Sequence, residues 1–120
     1  MIQVMGEALI DIIVSPQGEI DSVVGGGPVN TARTIARLGT EASFLGGISQ
    51  DALGKRIRRL LDSDNVNCAI EQDCAAPTTL AIASLDESGS ASYQFLIHGT
   101  SSLSVSPQIA LAAVNPSAVA

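Results

Sequence analysis

Aromatic side chains are almost missing from this 120-residue sequence: Phe44, Tyr93 and Phe95 are the whole set, and there is no tryptophan. Proteins that bind nucleic acid stack bases on aromatics and line their grooves with cations. Here six Lys and Arg stand against twelve Asp and Glu, a formal net charge of −6 with a pI near 4.4. That balance argues against a nucleic-acid partner, and an anionic membrane surface would repel the chain. Long apolar runs are missing too. The longest, Ile109 to Val114, is far short of the roughly 20 residues that span a bilayer. The opening MIQVMGEALIDIIV has neither a cationic leader nor a long apolar stretch before Asp11, so it does not read as a secretory signal. Cysteine is scarce: Cys68 and Cys74, five residues between them, match no common zinc knuckle, and the single His98 cannot complete a four-ligand site with them. No metal site is expected, and reduced thiols in a cytoplasmic protein are.

Charge is absent from most of the chain. All the cations (Arg33, Arg37, Lys55, Arg56, Arg58 and Arg59) fall between residues 33 and 59, and beyond Glu87 there is no Asp, Glu, Lys or Arg in 33 residues. The tail SSLSVSPQIALAAVNPSAVA is too rich in Leu, Ile, Val and Ala for a disordered segment, so it is expected to lie against something apolar. The residues therefore read as part of a larger domain whose remainder is not in this sequence.

What is present is an ordinary apolar content, 46%, in a length that suits one domain. Ile2 to Ile13 read as a strand running into a second. Ser15-Pro-Gln-Gly18 carries turn chemistry, and Glu19 to Val24 form a short return strand. Pro28 suits the first turn of a helix that continues through Val29, Ala32, Ile35, Ala36 and Leu38 and stops at Gly39. Glu41 to Ile48 read as a buried strand. Ser49 or Asp51 then caps a second helix whose apolar stripe is Leu53, Ile57, Leu60 and Leu61. Val66 to Ile70, Thr78 to Leu85 and Ala91 to Ile97 read as further strands, the last two joined by Asp86-Glu-Ser-Gly89, and a short helix is expected after Pro107. Strands alternating with helices over such short connections indicate an α/β fold with a mainly parallel core sheet. The hairpin strands near 12–24 and 78–97 are expected to form a separate flap.

In open α/β sheets ligands bind at the carboxyl ends of strands, beside helix N-termini, which here means Gly25 to Asn30. The glycines let backbone approach a ligand, and Asn30 offers an amide that donates and accepts, as a sugar hydroxyl requires. No Gly-Lys-Ser/Thr follows, and Asn30 breaks the dinucleotide fingerprint. A merely flexible strand-to-helix turn would use the same glycines. Asp11 stands among Ala8, Leu9, Ile10, Ile12, Ile13 and Val14. It is either a bidentate acceptor for two sugar hydroxyls or an exposed carboxylate on a strand edge. His98 is not backed by a Gly-x-Ser-x-Gly elbow, so a hydrolase reading with Ser101 or Ser102 finds no support.

Gly6-Glu-Ala-Leu-Ile-Asp11, Gly25-Gly-Gly-Pro-Val-Asn30 with its helix to Gly39, and Phe44-Leu-Gly-Gly-Ile-Ser-Gln-Asp-Ala-Leu-Gly54 together resemble the ribokinase-like (PfkB) carbohydrate kinases. Looser matches run through Pro77 to Ala81, Leu85 to Gly89 and Tyr93 to Phe95, so the likeness spans residues 6 to 95. The resemblance implies a partial three-layer α/β sandwich with a small β-sheet lid, formed by the strands near 12–24 and 78–97 over the sugar. It implies that Asp11 and Asn30 hold sugar hydroxyls, that Gly26 and Gly27 press close to the ring, and that His98, at the end of the last lid strand, could reach the substrate. It also implies ATP and Mg²⁺ as cofactors and a homodimer made through the lid. Gly27 stands where ribokinases usually have Lys, which favours a fructokinase-like branch, and Ser49 stands where the family usually has Gly. The family's second signature, Asp-x-x-Gly-Ala-Gly-Asp, supplies the catalytic base and anion hole. No Gly-Asp dipeptide occurs here, so the ATP-binding and catalytic part is expected to be absent and the chain alone inactive.

Overall fold

The computed structural model describes residues 1–118, so the last two residues of the uncharged tail lie outside the described residues. Ile2–Met5 form β1, Ala42–Leu45 form β4 and Asn67–Cys68 form β5, hydrogen-bonded in the order β1-β4-β5 as an all-parallel sheet. Alternation along these strands sorts their side chains by face. Val4, Ala42 and Phe44 join the buried core with Val29 and Ala32 of α1 (Gly27–Arg37) and Ile57 and Leu61 of α2 (Ala52–Ser63). Gln3 and Ser43 point the other way, 3.4 Å apart.

The local signals act as expected at both helices. Pro28 occupies the first turn of α1, and Gly39, at φ +90°, takes the chain out of it. Asp51 is the cap of α2: its carboxylate accepts from the Gly54 N–H at 2.8 Å, while the Ser49 hydroxyl accepts from the Asp51 N–H at 3.1 Å. At the far ends, Asp64 accepts from Arg33 Nε at 2.6 Å and from Arg37 Nε at 2.9 Å, fastening α1 to α2.

Leu9–Val14 (β2), Ile20–Gly25 (β3), Thr79–Leu85 (β6) and Ala91–Leu96 (β7) make a second sheet in the order β3-β2-β6-β7. The two hairpins make one sheet, distinct from the first. A parallel β2–β6 pair, Leu9 opposite Thr79 through Val14 opposite Ser84, fuses them into one sheet. One face packs Ile10, Ile12, Val24 and Leu80 on the core. The register rows put Val23, Asp11, Ala81 and Phe95 together on the opposite face.

Two expected strands are shorter than their apolar patterns. Glu41 to Ile48 yields β4 only as far as Leu45, because Gly46 passes so close to the Gly6 carbonyl that a Cβ there would overlap it. Val66 to Ile70 yields only β5, which leaves the sheet after Cys68. After Pro107 the expected short helix forms as α3 (Pro107–Ala113), capped by the Ser106 hydroxyl. Gln3 clamps its end, donating to the Ala113 carbonyl at 3.1 Å and accepting from the Asn115 N–H at 3.0 Å. The tail is thus pinned to β1 through Gln3, with Ile109, Leu111 and Val114 left exposed.

Candidate functional site

The site begins with a steric fact about Gly25, the last residue of β3. A Cβ at this position would overlap Asp11 Oδ2 and come within 2.9 Å of Asp11 Cγ. Only glycine lets the carboxylate lie over the strand end. Asp11 is half-buried, and among the described residues its side chain receives no hydrogen bond from the protein. A carboxylate with unfilled lone pairs that is partly withdrawn from water is ready to accept from a ligand.

The next two glycines differ in kind. Gly26 is at φ +101°, and a Cβ on it would sit 2.7 Å from the Glu7 carbonyl oxygen, so backbone geometry demands glycine. Gly27 meets nothing within 4 Å. Its bareness is not required by any protein atom and leaves space over the start of α1. Asn30, in the first turn of α1, is exposed, and its side-chain amide has no partner among the described residues. Its backbone N–H binds the Gly26 carbonyl at 3.1 Å. Asp11 and Asn30 therefore flank one glycine run, each with free polar atoms.

Beside them lies a cavity of about 590 Å³ at the carboxyl ends of β1 and β4, between those ends and the open face of the second sheet. Leu9, Thr79, Phe95 and Ile97 wall it from the sheet, Gly46 and Gly47 from the end of β4, and Pro107 and Ala110 from α3. None of Asp11, Gly26, Gly27, Asn30 and His98 lines it. Asp11 shares the sheet face of two of its wall residues: Leu9 is two positions earlier on β2, and Phe95 is two strands away, about 10 Å at ordinary strand spacing. His98 is exposed in the turn beyond β7, whereas its neighbour Ile97 faces the cavity.

Sequence reasoning missed the cavity wall. Thr79 is buried, its hydroxyl 2.7 Å from both the Thr100 and Ser102 hydroxyls, and it ties β6 to the short turn Ser101–Leu103. Phe95 packs on Tyr93 with ring centroids 6.2 Å apart. The hairpin pattern was visible, but the face on which Phe95 meets Asp11 depends on the β2–β6 pairing, which short-range signals do not encode. Sequence alone does not separate Gly25 from the two glycines after it, whereas its burial beside Asp11 gives it a contact of its own. Asp51, expected only as a cap, also accepts from the Thr78 N–H at 2.9 Å and hydroxyl at 2.5 Å, so it joins α2 to the start of β6. Burial alone would raise the pKa of Asp51. The hydrogen bonds from Thr78, Gly54 and Ser49 outweigh it and hold the carboxyl below its ordinary value.

Residues 1–117 match the profile of the pfkB family carbohydrate kinases. A fructokinase of Klebsiella pneumoniae is 29% identical over 108 residues, 89% of this chain but 35% of that protein. The crystal structure of a fructokinase from Xylella fastidiosa superposes with a TM-score of 0.78 at 30% identity, covering 87% of this chain and 36% of that one. An aminoimidazole riboside kinase from Salmonella enterica, solved with aminoimidazole riboside and an ATP analogue, gives a TM-score of 0.72 at 25% identity over 90% of this chain and 34% of its own. The chain spans about a third of the length of the curated relatives it matches.

Proposed function

Because the chain belongs to the pfkB family of carbohydrate kinases, we propose that it forms the sugar-holding part of an ATP-dependent kinase acting on a primary hydroxyl of a small, fructose-like sugar. The observation that carries this reading is the unpartnered Asp11 carboxylate lying over Gly25, two residues along β2 from the cavity-wall residue Leu9 and across the glycine run from Asn30. Asp11 accepts from two neighbouring hydroxyls, Asn30 donates to one and accepts from another, and Gly26 and Gly27 leave room for the ring. The second sheet acts as a lid whose apolar wall of Leu9, Phe95 and Ile97 keeps water from the site. His98, exposed in the turn beyond β7, is the lid-end residue that reaches toward the substrate. Fructokinases among the relatives, and Gly27 in place of Lys, support the fructose-like choice.

ATP supplies the phosphoryl group when bound, and its use here is supported by the family and by the ATP analogue in the riboside kinase structure. Among the described residues no three His, Cys, Asp or Glu side chains gather in a place that could hold a metal ion. Cytoplasmic placement is supported by two free cysteines; no helix of the described residues is long and apolar enough to cross a membrane.

Titration of the full chain with D-fructose, followed by calorimetry, tests the reading. Saturable binding is expected for the natural sequence and loss of it for Asp11→Ala at unchanged circular dichroism. Equal affinity in the two proteins would remove Asp11 from the site. With Mg-ATP and a panel of sugars the 120-residue chain is expected to release no ADP, since it contains no Gly-Asp dipeptide to supply the base and anion hole. Sugar-dependent ADP release would show that this chain transfers phosphate unaided. A second reading, a non-catalytic sugar-binding or dimerising module, is favoured by the bare apolar face at Tyr93 and Phe95.

A further inference from the structure

Between β3, α1 and α2, and sharing no lining residue with the first cavity, a cleft of about 470 Å³ is lined by Arg33, Arg56, Arg59, Ser63, Leu60, Val23 and Val24. No carboxylate of the described residues lines it, in a chain whose net charge is −6. Helix geometry explains the segregation: residues 56, 59, 60 and 63 fall on one stripe of α2, and Asp62 falls off it.

Two of the three guanidiniums are held in place. Arg33 has only 18% of its side chain exposed and spends its Nε on Asp64, which it shares with Arg37, so its terminal nitrogens have no partner among the described residues. Arg56 donates from Nη1 to the Ser22 hydroxyl at 2.7 Å and from Nη2 to the Ser22 carbonyl at 2.8 Å, bridging α2 to β3. Arg59 is exposed and makes no hydrogen bond or ion pair among the described residues, free to close over an occupant. Among the described residues Asp64 is the one carboxylate that answers this group, and both arginines beside it already draw on it.

We propose that this cleft is a binding site for a phosphorylated small molecule, separate from the sugar site and independent of the kinase reading. Fixed guanidinium forks match phosphate oxygens in geometry and charge. The floor of Val23, Val24 and Leu60 gives an organic group a place beside the phosphate, and the volume exceeds what a phosphate alone fills. An occupant bridging Arg56 and Arg33 ties β3, and with it the second sheet, to both helices.

The full chain, ¹⁵N-labelled, is titrated with inorganic phosphate, fructose 1-phosphate and AMP while the arginine Nε–H signals are followed, with sodium chloride at matched ionic strength as the control. Saturable shifts at Arg33 and Arg56 are expected, and Arg59→Glu weakens the binding at least tenfold without changing the fold. A stronger response to the esters assigns the site to a metabolite, an equal one to free phosphate. Because the signals report the cleft itself, a ligand entering the sugar cavity does not mimic the result. Shifts no larger than those from chloride, or undiminished affinity in both Arg59→Glu and Arg56→Gln, would overturn the proposal.

Discussion

Three consecutive glycines are needed for three different reasons, and substitution separates them. Ala at Gly25 places its methyl where Asp11 Oδ2 lies, so Gly25→Ala is expected to displace that carboxylate and weaken fructose binding as strongly as Asp11→Ala does. Gly26→Ala forces a side chain into φ +101° and against the Glu7 carbonyl, which costs about 1–3 kcal/mol of stability. Gly27→Ala meets no protein atom, so its unfolding free energy should stay within about 0.5 kcal/mol of the natural chain while its sugar affinity falls. Urea unfolding and calorimetry on the three variants check this. A Gly27→Ala protein that binds fructose normally would show that no ligand occupies the space over α1. At this scale the Gly25–Asn30 segment and Asp11 were legible as candidates, but the different demands on the three glycines were not. The role of Gly25 depends on a side chain 14 residues earlier in the sequence.

Elements are joined here by a few polar side chains, and Asp51 is the clearest case. It caps α2 and holds Thr78 at the start of β6, so its loss loosens the helix and the second sheet together. Asp51→Asn keeps an oxygen for the Gly54 N–H, since Asn caps as well as Asp, but turns its amide NH2 toward a Thr78 donor, so it is expected to lower stability at pH 7 by about 1–3 kcal/mol, the range of a buried polar group left unpaired. The carboxyl's pKa is depressed in the folded state, so its contribution is complete above the ordinary carboxylate value and is lost as pH falls below it. Between pH 7 and pH 3 the natural chain should therefore lose more stability than the variant. Asp64 and Asp86, lowered by hydrogen bonds to Arg33 and to Ser88 respectively, titrate with the same sign in both proteins and cancel. An equal gap at both pH values, measured by urea midpoints, would contradict this assignment. The cap itself was readable from Ser49 and Asp51 ahead of an apolar stripe. Its second task was not, because Thr78 lies a whole helix and strand away. The same limit hid the parallel β2–β6 pair: each hairpin shows in local alternation, whereas its docking partner is set by the cores both must cover.

The whole molecule is open. Its radius of gyration is 15.1 Å and its extents are 49 × 32 × 22 Å, against roughly 13.6 Å for a compact domain of this length. The excess comes from the second sheet and from α3, and both leave apolar surface bare. Tyr93 is 66% exposed on β7, every residue of which is exposed, and Leu111 is 76% exposed on α3. An outer strand with an unpaired backbone and aromatics on one face is a template for a second strand. The proposed lid-mediated dimer uses that template, so sedimentation of the full chain should report a dimer, and Tyr93→Lys should shift it toward monomer. Tyr93 is the choice because, unlike Phe95, it does not line the cavity. Leu111→Lys tests the competing surface. If it dissociates the dimer and Tyr93→Lys does not, association runs through the tail and the lid interface is wrong. If Tyr93→Lys alone acts, the second sheet both walls the sugar cavity and pairs two copies, and sugar affinity should then fall with dilution below the dimer's dissociation constant.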